Sequence, residues 1–178
     1  HVVEYYLDIL SLLGIDPVRY RARPRVFLTE SDRIWAAQFL AQSGVGAGET
    51  LVGVIPGCGA SWGRDASRRR WAPEKFAKVC DGIAEKYHAK IILLGDAKEA
   101  PLCESVQKCM KHPAIMACGR TTIGDFLGLI NRCSLVLTND GGPLHMAVAA
   151  GVRTVSIFGP VDEKIYGPYP LTADHVVV

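Results

Sequence analysis

Leu51-Val52-Gly53-Val54-Ile55-Pro56 is an apolar run that ends on a proline and continues into Gly57. Helical periodicity takes over from Pro73 to Tyr87, with proline at the permitted first turn, and a second apolar run, Lys90-Ile91-Ile92-Leu93-Leu94, follows. Continuous apolar runs this short are strands buried on both faces, because polar–apolar alternation is needed only where one face meets water. A strand, a helix and another strand make the unit from which parallel sheets are built.

The pattern repeats downstream. Ala100–Lys111 is helical and Ala114–Cys118 is strand-like. Thr122–Arg132 is a helix with Thr122 as N-cap and Asp125 three residues on. Ser134–Asn139 is a strand, Leu144–Ala150 a short helix closed by Gly151, Arg153–Phe158 a strand stopped by Gly159-Pro160, and His175–Val178 a sixth strand. This succession predicts an α/β fold, a doubly wound parallel Rossmann-like sheet with helices on both faces and strand order 3-2-1-4-5-6. Upstream, residues 2–13 carry a helical apolar stripe stopped by Gly14, Arg25–Thr29 is extended, and Ser31 reads as the cap of a helix that ends at Gly44. The expected division is a helical connecting segment at 1–48 and the Rossmann-like domain at 49–178.

Composition narrows the function. Half the residues are hydrophobic (49%) and 21% are charged, which is a globular mixture. No run approaches the roughly 18 apolar residues of a membrane span, and the first residues lack the basic and apolar regions of a signal peptide. Twenty Lys and Arg against 18 Asp and Glu leave a net charge of +2, too small an excess for a domain built around nucleic acid. The six cysteines form no Cys-x-x-Cys pair and have no histidine at a ligand spacing, so buried free thiols are expected and zinc is not.

In the predicted order the first and fourth strands are neighbours from which the chain winds away in both directions. Ligands bind there, beyond the carboxyl ends of the strands. Two loops are thereby singled out. Gly57–Ala72 has small residues through which backbone N–H groups can approach an anion, together with Arg68, Arg69 and Arg70. A solvated basic loop is the plain alternative. It is not a dinucleotide fingerprint, since the third glycine position is Trp62, and no phosphate-loop motif occurs. The second loop, Asp140-Gly141-Gly142-Pro143-Leu144-His145, leads into a helix whose first N–H groups are free to meet an anion. Asp140 beside a phosphate is unfavourable unless it binds backbone N–H groups and shapes the loop. His145 reads either as a phosphate donor or as a buried histidine that holds the loop.

Pro56-Gly57, Arg69-Arg70-Trp71 with Pro73, Gly95 with Glu99, Asn139-Asp140-Gly141-Gly142 with His145-Met146-Ala147, and Phe158-Gly159 occur in that order. Together they resemble the ADP-heptose:lipopolysaccharide heptosyltransferase family, glycosyltransferase family nine, over roughly residues 50–170. The resemblance implies the C-terminal, nucleotide-sugar-binding half of a two-domain GT-B enzyme that transfers heptose from ADP-heptose to the lipopolysaccharide inner core with inversion. It implies no metal or other cofactor, and a cytoplasmic location at the inner face of the inner membrane with peripheral membrane contact. By the same resemblance Arg69 stands at the diphosphate, Glu99 at the ribose hydroxyls and Thr121 at the adenine; Gly57 and Arg70 join the donor-binding set from the reading of the first loop. Asp140, Gly142 and His145 match the loop around diphosphate and sugar, and Gly141 lies between them in the same donor-binding loop.

The sequence departs from the family pattern in three places. Gly141 replaces a usual Ser or Thr, one residue is inserted in Trp71-Ala72-Pro73, and Arg69 replaces a Lys. The family's general base lies in the N-terminal domain and has no counterpart here, so the chain is expected to be a fragment that binds donor without catalysing transfer. Another GT-B transferase or an epimerase using a UDP sugar, and a nucleotide-binding module without chemistry, are the competing readings.

Overall fold

A computed structural model describes residues 1–20, 23–59 and 67–178. Six parallel strands form one sheet: β1 (Leu51–Ile55), β2 (Lys90–Leu93), β3 (Ile115–Met116), β4 (Leu135–Asn139), β5 (Thr154–Ile157) and β6 (His175–Val177). Their order is β3-β2-β1-β4-β5-β6, as the sequence predicts. Val54 lies opposite Leu93 on one side and Leu137 on the other, which makes β1 the centre of the sheet. The helices are α1 (Val2–Asp8), α2 (Glu30–Gln42), α3 (Pro73–Tyr87), α4 (Ala100–Cys109), α5 (Ile123–Arg132), α6 (Gly142–Ala149) and α7 (Glu163–Tyr166).

Period-two alternation along β1 divides the core. Leu51 and Ile55 pack with Ile92, Leu129, Ile130 and Val136 beneath α2 and α5. Val52 and Val54 pack with Phe76, Cys80, Ile91, Leu93 and Val106 beneath α3 and α4. Both faces of the strand are dry, which is why β1 shows no polar alternation. Gly53 shares the first face, and a Cβ there would stand 3.0 Å from the Cys133 sulfur and 3.3 Å from Leu94.

α2 packs on the sheet: Ala36, Phe39 and Leu40 are buried in the first core. Two glycines of α5 allow the approach. A Cβ on Gly128 would lie 2.8 Å from the Asp32 carbonyl oxygen, and one on Gly124 would overlap the Asp32 carboxylate. The cap of α2 is Thr29, two residues before the expected Ser31. Thr29 accepts from the Asp32 N–H and Asp32 accepts from the Thr29 N–H, a closed capping box that Ser31 has no partner to form. The box that Thr122 and Asp125 form on α5 is the one read from the sequence. Residues 25–29 form no strand, and the helical start continues from α1 into a 3₁₀ turn at Ile9–Leu13 whose apolar side chains are largely exposed.

All six cysteines are free, and all but Cys109 are buried. Burial pushes the Cys80 and Cys133 thiols up to about 12, so both act as small apolar side chains. No helix among the described residues is long and apolar enough to cross a membrane.

Two glycine-to-alanine replacements in helices should change stability in opposite directions. Gly82 in α3 is exposed, and a Cβ added there would meet nothing within 4 Å, so Gly82→Ala should stabilise by about 0.5–1 kcal/mol through backbone entropy. Gly128→Ala gains the same propensity but drives a methyl into the α2 backbone, and should lose about 1–3 kcal/mol. Denaturant midpoints measure both; equal shifts would show that α2 and α5 do not interlock.

Candidate functional site

β1 and β4 end side by side, and the segments leaving them are fastened to one another. Asn139, the last residue of β4, is wholly buried. Its Nδ2 donates to the Pro56 carbonyl at 2.6 Å, and its Oδ1 accepts from the Trp71 N–H at 3.0 Å. Asp140 follows it and forms an ion pair with Arg69. Both side chains are buried, Arg69 to 7% exposure and Asp140 to 1%. Gly141 then passes so close to the first loop that a Cβ would stand 2.6 Å from the Cys58 carbonyl oxygen. Gly142 opens α6 with empty space where a side chain would be.

This geometry bears on two readings. Arg69 is not the solvated loop residue of the plain alternative; its guanidinium is buried and pairs with Asp140. Among the described residues Asp140 is stabilised by that guanidinium, and no backbone N–H donates to it. Burial pulls the Arg69 pKa below the ordinary guanidinium value. An opposite charge in contact favours the charged form, so the Asp140 carboxylate works against that pull. Arg68 is exposed and Arg70 half-buried. Ala60 to Ala66, in the middle of the first loop, lie outside the described residues.

Glu99 is buried as well, at 5% exposure, and is not the solvated helix-start residue that its position permits. Oε1 accepts from the N–H groups of Cys58 (3.1 Å) and Gly59 (2.9 Å), and Oε2 accepts from that of Asp96 (3.2 Å). A carboxylate offers about four acceptor positions, so roughly one remains for a ligand. The fit requires glycine on both sides. A Cβ on Gly57 would stand 2.6 Å from Oε2, and one on Gly95 would stand 2.9 Å from it. Gly57 is thus a packing surface for Glu99. Gly59 supplies the N–H, and nothing in its sequence context marks it for that role.

Glu99 and Thr121 share a cavity of about 230 Å³, walled also by Ile123, Phe126, Pro143 and Met146. It opens at the carboxyl ends of the strands, where a ligand of this fold is expected. A larger hollow of about 710 Å³ lies by the amino ends of β5 and β6, between Arg23–Phe27 and Tyr169–His175, away from both loops. Arg69, Arg70, Asp140 and His145 do not line the smaller cavity; the Cys58–Gly141 approach and α6 join the two groups. His145, on the first turn of α6, is exposed and makes no hydrogen bond among the described residues, so it is not the buried loop-holding histidine. Its pKa is lowered, by loss of hydration first and by the Arg69 charge second. Among the described residues no three His, Cys, Asp or Glu side chains are grouped to hold a metal.

The model of glycosyltransferase family 9 (heptosyltransferase) matches residues 1–178. The chain belongs to this family. The lipooligosaccharide heptosyltransferase 2 of Campylobacter jejuni serotype O:2 is 36% identical over 116 residues, which are 64% of this chain and 34% of the relative. The glycosyl transferase family 9 structure from Veillonella parvula superposes with a TM-score of 0.85 at 28% identity, covering 100% of this chain and 49% of that one. The ADP-heptose lipopolysaccharide heptosyltransferase II of E. coli shares the fold, with a TM-score of 0.72 at 20% identity over 87% of this chain and 45% of its own. This family 9 chain thus spans between a third and a half of the length of these relatives.

Breaking the buried pair has a predictable cost. Asp140→Asn removes the carboxylate that faces the buried Arg69 guanidinium and should lower unfolding free energy by about 3–5 kcal/mol. The double replacement Arg69→Met, Asp140→Leu should cost less than the sum of its parts. Chemical denaturation measures all three proteins; a loss under about 1 kcal/mol for Asp140→Asn would mean that the pair holds nothing together.

The lowered pKa of His145 gives a second test. The stability linked to its neutral form is complete above the ordinary value of 6.5 and is lost as pH falls below it, because the unfolded chain takes up the proton first. His175 contributes with the same sign, its pKa also being lowered by burial. His145→Asn should therefore show a shallower acid-side decline than the parent in thermal melts taken across the histidine range. Parallel declines would show that His145 titrates alike in folded and unfolded chains.

Proposed function

We propose that this chain is the nucleotide-sugar-binding half of an inverting heptosyltransferase that takes ADP-heptose and serves the lipopolysaccharide inner core. The observation that carries the reading is the cavity at the β1–β4 junction, with the acids Asp96 and Glu99 on its wall and the start of α6 beside it. In this reading the adenine lies against Thr121, Ile123 and Phe126, and a ribose hydroxyl takes the remaining acceptor position of Glu99. The diphosphate meets the N-terminal turn of α6, where the helix dipole and unpaired N–H groups favour negative charge. Arg69 contributes its field from behind Asp140, and Arg70 stands at the rim. Fixed positive charge opposite a departing diphosphate stabilises the transition state without positioning a nucleophile. The Campylobacter and E. coli relatives are named as heptosyltransferases, and the latter is named for ADP-heptose.

The acceptor, the general base and any contact with the cytoplasmic membrane face are assigned to the rest of the parent protein. Inversion requires a base within hydrogen-bond reach of the acceptor hydroxyl. Asp140 is paired in the interior, and His145 stands on the donor side.

Titration calorimetry tests the reading. ADP should bind and UDP should bind far more weakly. Glu99→Gln should weaken ADP by about tenfold, since an amide places a donor against the Asp96 N–H and also loses the ribose contact. The chain alone, given ADP-heptose and a deep-core acceptor, should release no ADP. Stronger binding of UDP would replace the donor, and turnover by this chain abolished in His145→Ala would place a base here.

A further inference from the structure

The segment between β1 and α3 leaves the sheet at Pro56 and returns at Trp71, and one side chain holds both ends. Asn139 sits at the end of β4, between them, with no solvent exposure. Its Nδ2 donates to the Pro56 carbonyl at 2.6 Å and reaches that of Gly57 at 3.4 Å, while its Oδ1 accepts from the Trp71 N–H at 3.0 Å. The partners fix the orientation of the amide: a carbonyl needs the donor end and an N–H needs the acceptor end, so a flipped amide would lose both bonds. Neither Pro56 O nor Trp71 N belongs to the strand pairing of β1. Asn139 thus supplies the pairing that the sheet ladder no longer provides where the strands diverge.

We propose that Asn139 is a positioning residue of the donor site: by closing the base of the 57–70 loop it sets where Arg69 and the Cys58 and Gly59 N–H groups stand. The inference rests on the donor-site reading above for its functional half, and on the hydrogen bonds alone for its structural half. Asn139 itself touches no ligand. It acts through Trp71, which follows Arg70 directly, and through Pro56, which precedes the turn bound by Glu99. Its neighbour Asp140 grips Arg69, so adjacent residues at the end of β4 hold the loop at its base and at its arginine.

The isosteric replacement Asn139→Asp separates this role from generic packing. Ionised, the carboxylate sets an oxygen against the Pro56 carbonyl and keeps only the Trp71 contact. Protonated, it donates to Pro56 much as the amide does. A carboxyl so buried holds its proton to higher pH than usual. ADP affinity of Asn139→Asp should fall about tenfold at alkaline pH and return toward the parent value on acidification. Asn139→Ala should be weakened at every pH without recovery. Asp140 and Arg69 beside the position, Glu99 and Cys58 at the first turn, and His145 on α6 are common to all three proteins. Affinities are therefore read as ratios to the parent at each pH, with melts confirming that each protein is folded.

Amide exchange in the parent, followed by NMR, is the second measurement, and it needs neither ligand nor variant. The Trp71 N–H should be protected like a sheet amide, although it lies outside any strand. Protection of Trp71 together with pH-dependent recovery in Asn139→Asp supports the proposal. A Trp71 N–H that exchanges as fast as an exposed loop amide overturns it, and so do variants that bind ADP like the parent. Weakening of Asn139→Asp that ignores pH also overturns it, because the donated bond to Pro56 would then not be what matters. Should the parent not bind ADP at all, the donor reading fails, and Trp71 exchange still judges the clamp.

Discussion

The parallel hydrogen bonds between β1 and β4 bring two chain reversals together at one end of the sheet, and the rest of that end follows from their adjacency. Strands that part company leave backbone groups with no ladder to join, in a place too buried for water to serve them all. The described residues answer this need with side chains. Asn139 completes the pairing for Pro56 and Trp71, and Glu99 takes up the N–H groups of Cys58, Gly59 and Asp96. The Arg69–Asp140 pair ties the far side of the loop to the same strand end. Asp81 does comparable work elsewhere, accepting from the N–H groups of Lys111 and His112 where α4 leads toward β3.

Much of this architecture can be read in the residues. The buried strands are legible because both faces of β1 are dry and the apolar run is unbroken. The capping box of α5 is legible because Thr122 and Asp125 are local partners. The switch point follows from strand order alone, and with it the choice of loops 57–72 and 140–145. What is not legible depends on contacts between residues remote in sequence. Arg69 and Asp140 are 71 residues apart, and nothing in an Arg-Arg-Arg run tells which guanidinium turns inward. Glu99 carries the same ambiguity: its spacing from Gly95 suggests a site, but the room for its carboxylate is made by the missing side chain of Gly57, beyond the end of another strand. The docking of α2 depends on Gly124 and Gly128, whose meaning appears only once the helix they face is known. Thr29 is hidden as a cap because Ser31, an equally good capping residue, stands closer to the periodic apolar positions.

The carboxylates here are structural first. Those of Glu99, Asp140 and Asp81 are each less than a tenth exposed, and each is neutralised or hydrogen-bonded. A buried acid with its acceptor positions filled costs little, whereas the same acid unpaired is among the most destabilising groups a fold can hold. A site assembled this way is preorganised in the absence of ligand, because its polar groups already hold one another at the positions they occupy.

The close passage of Gly141 against the Cys58 carbonyl also sets the order in which this site can change over generations. A hydroxyl-bearing residue at position 141 would add a donor beside the proposed diphosphate, yet in this backbone its Cβ has no room. To take such a residue, the turn at residues 57–59 has to move outward. That movement disturbs Glu99, which holds the same turn, before any benefit is gained. The two loops are thus joined in inheritance as well as in space, and a substitution at 141 is best sought in sequences that also differ around position 58.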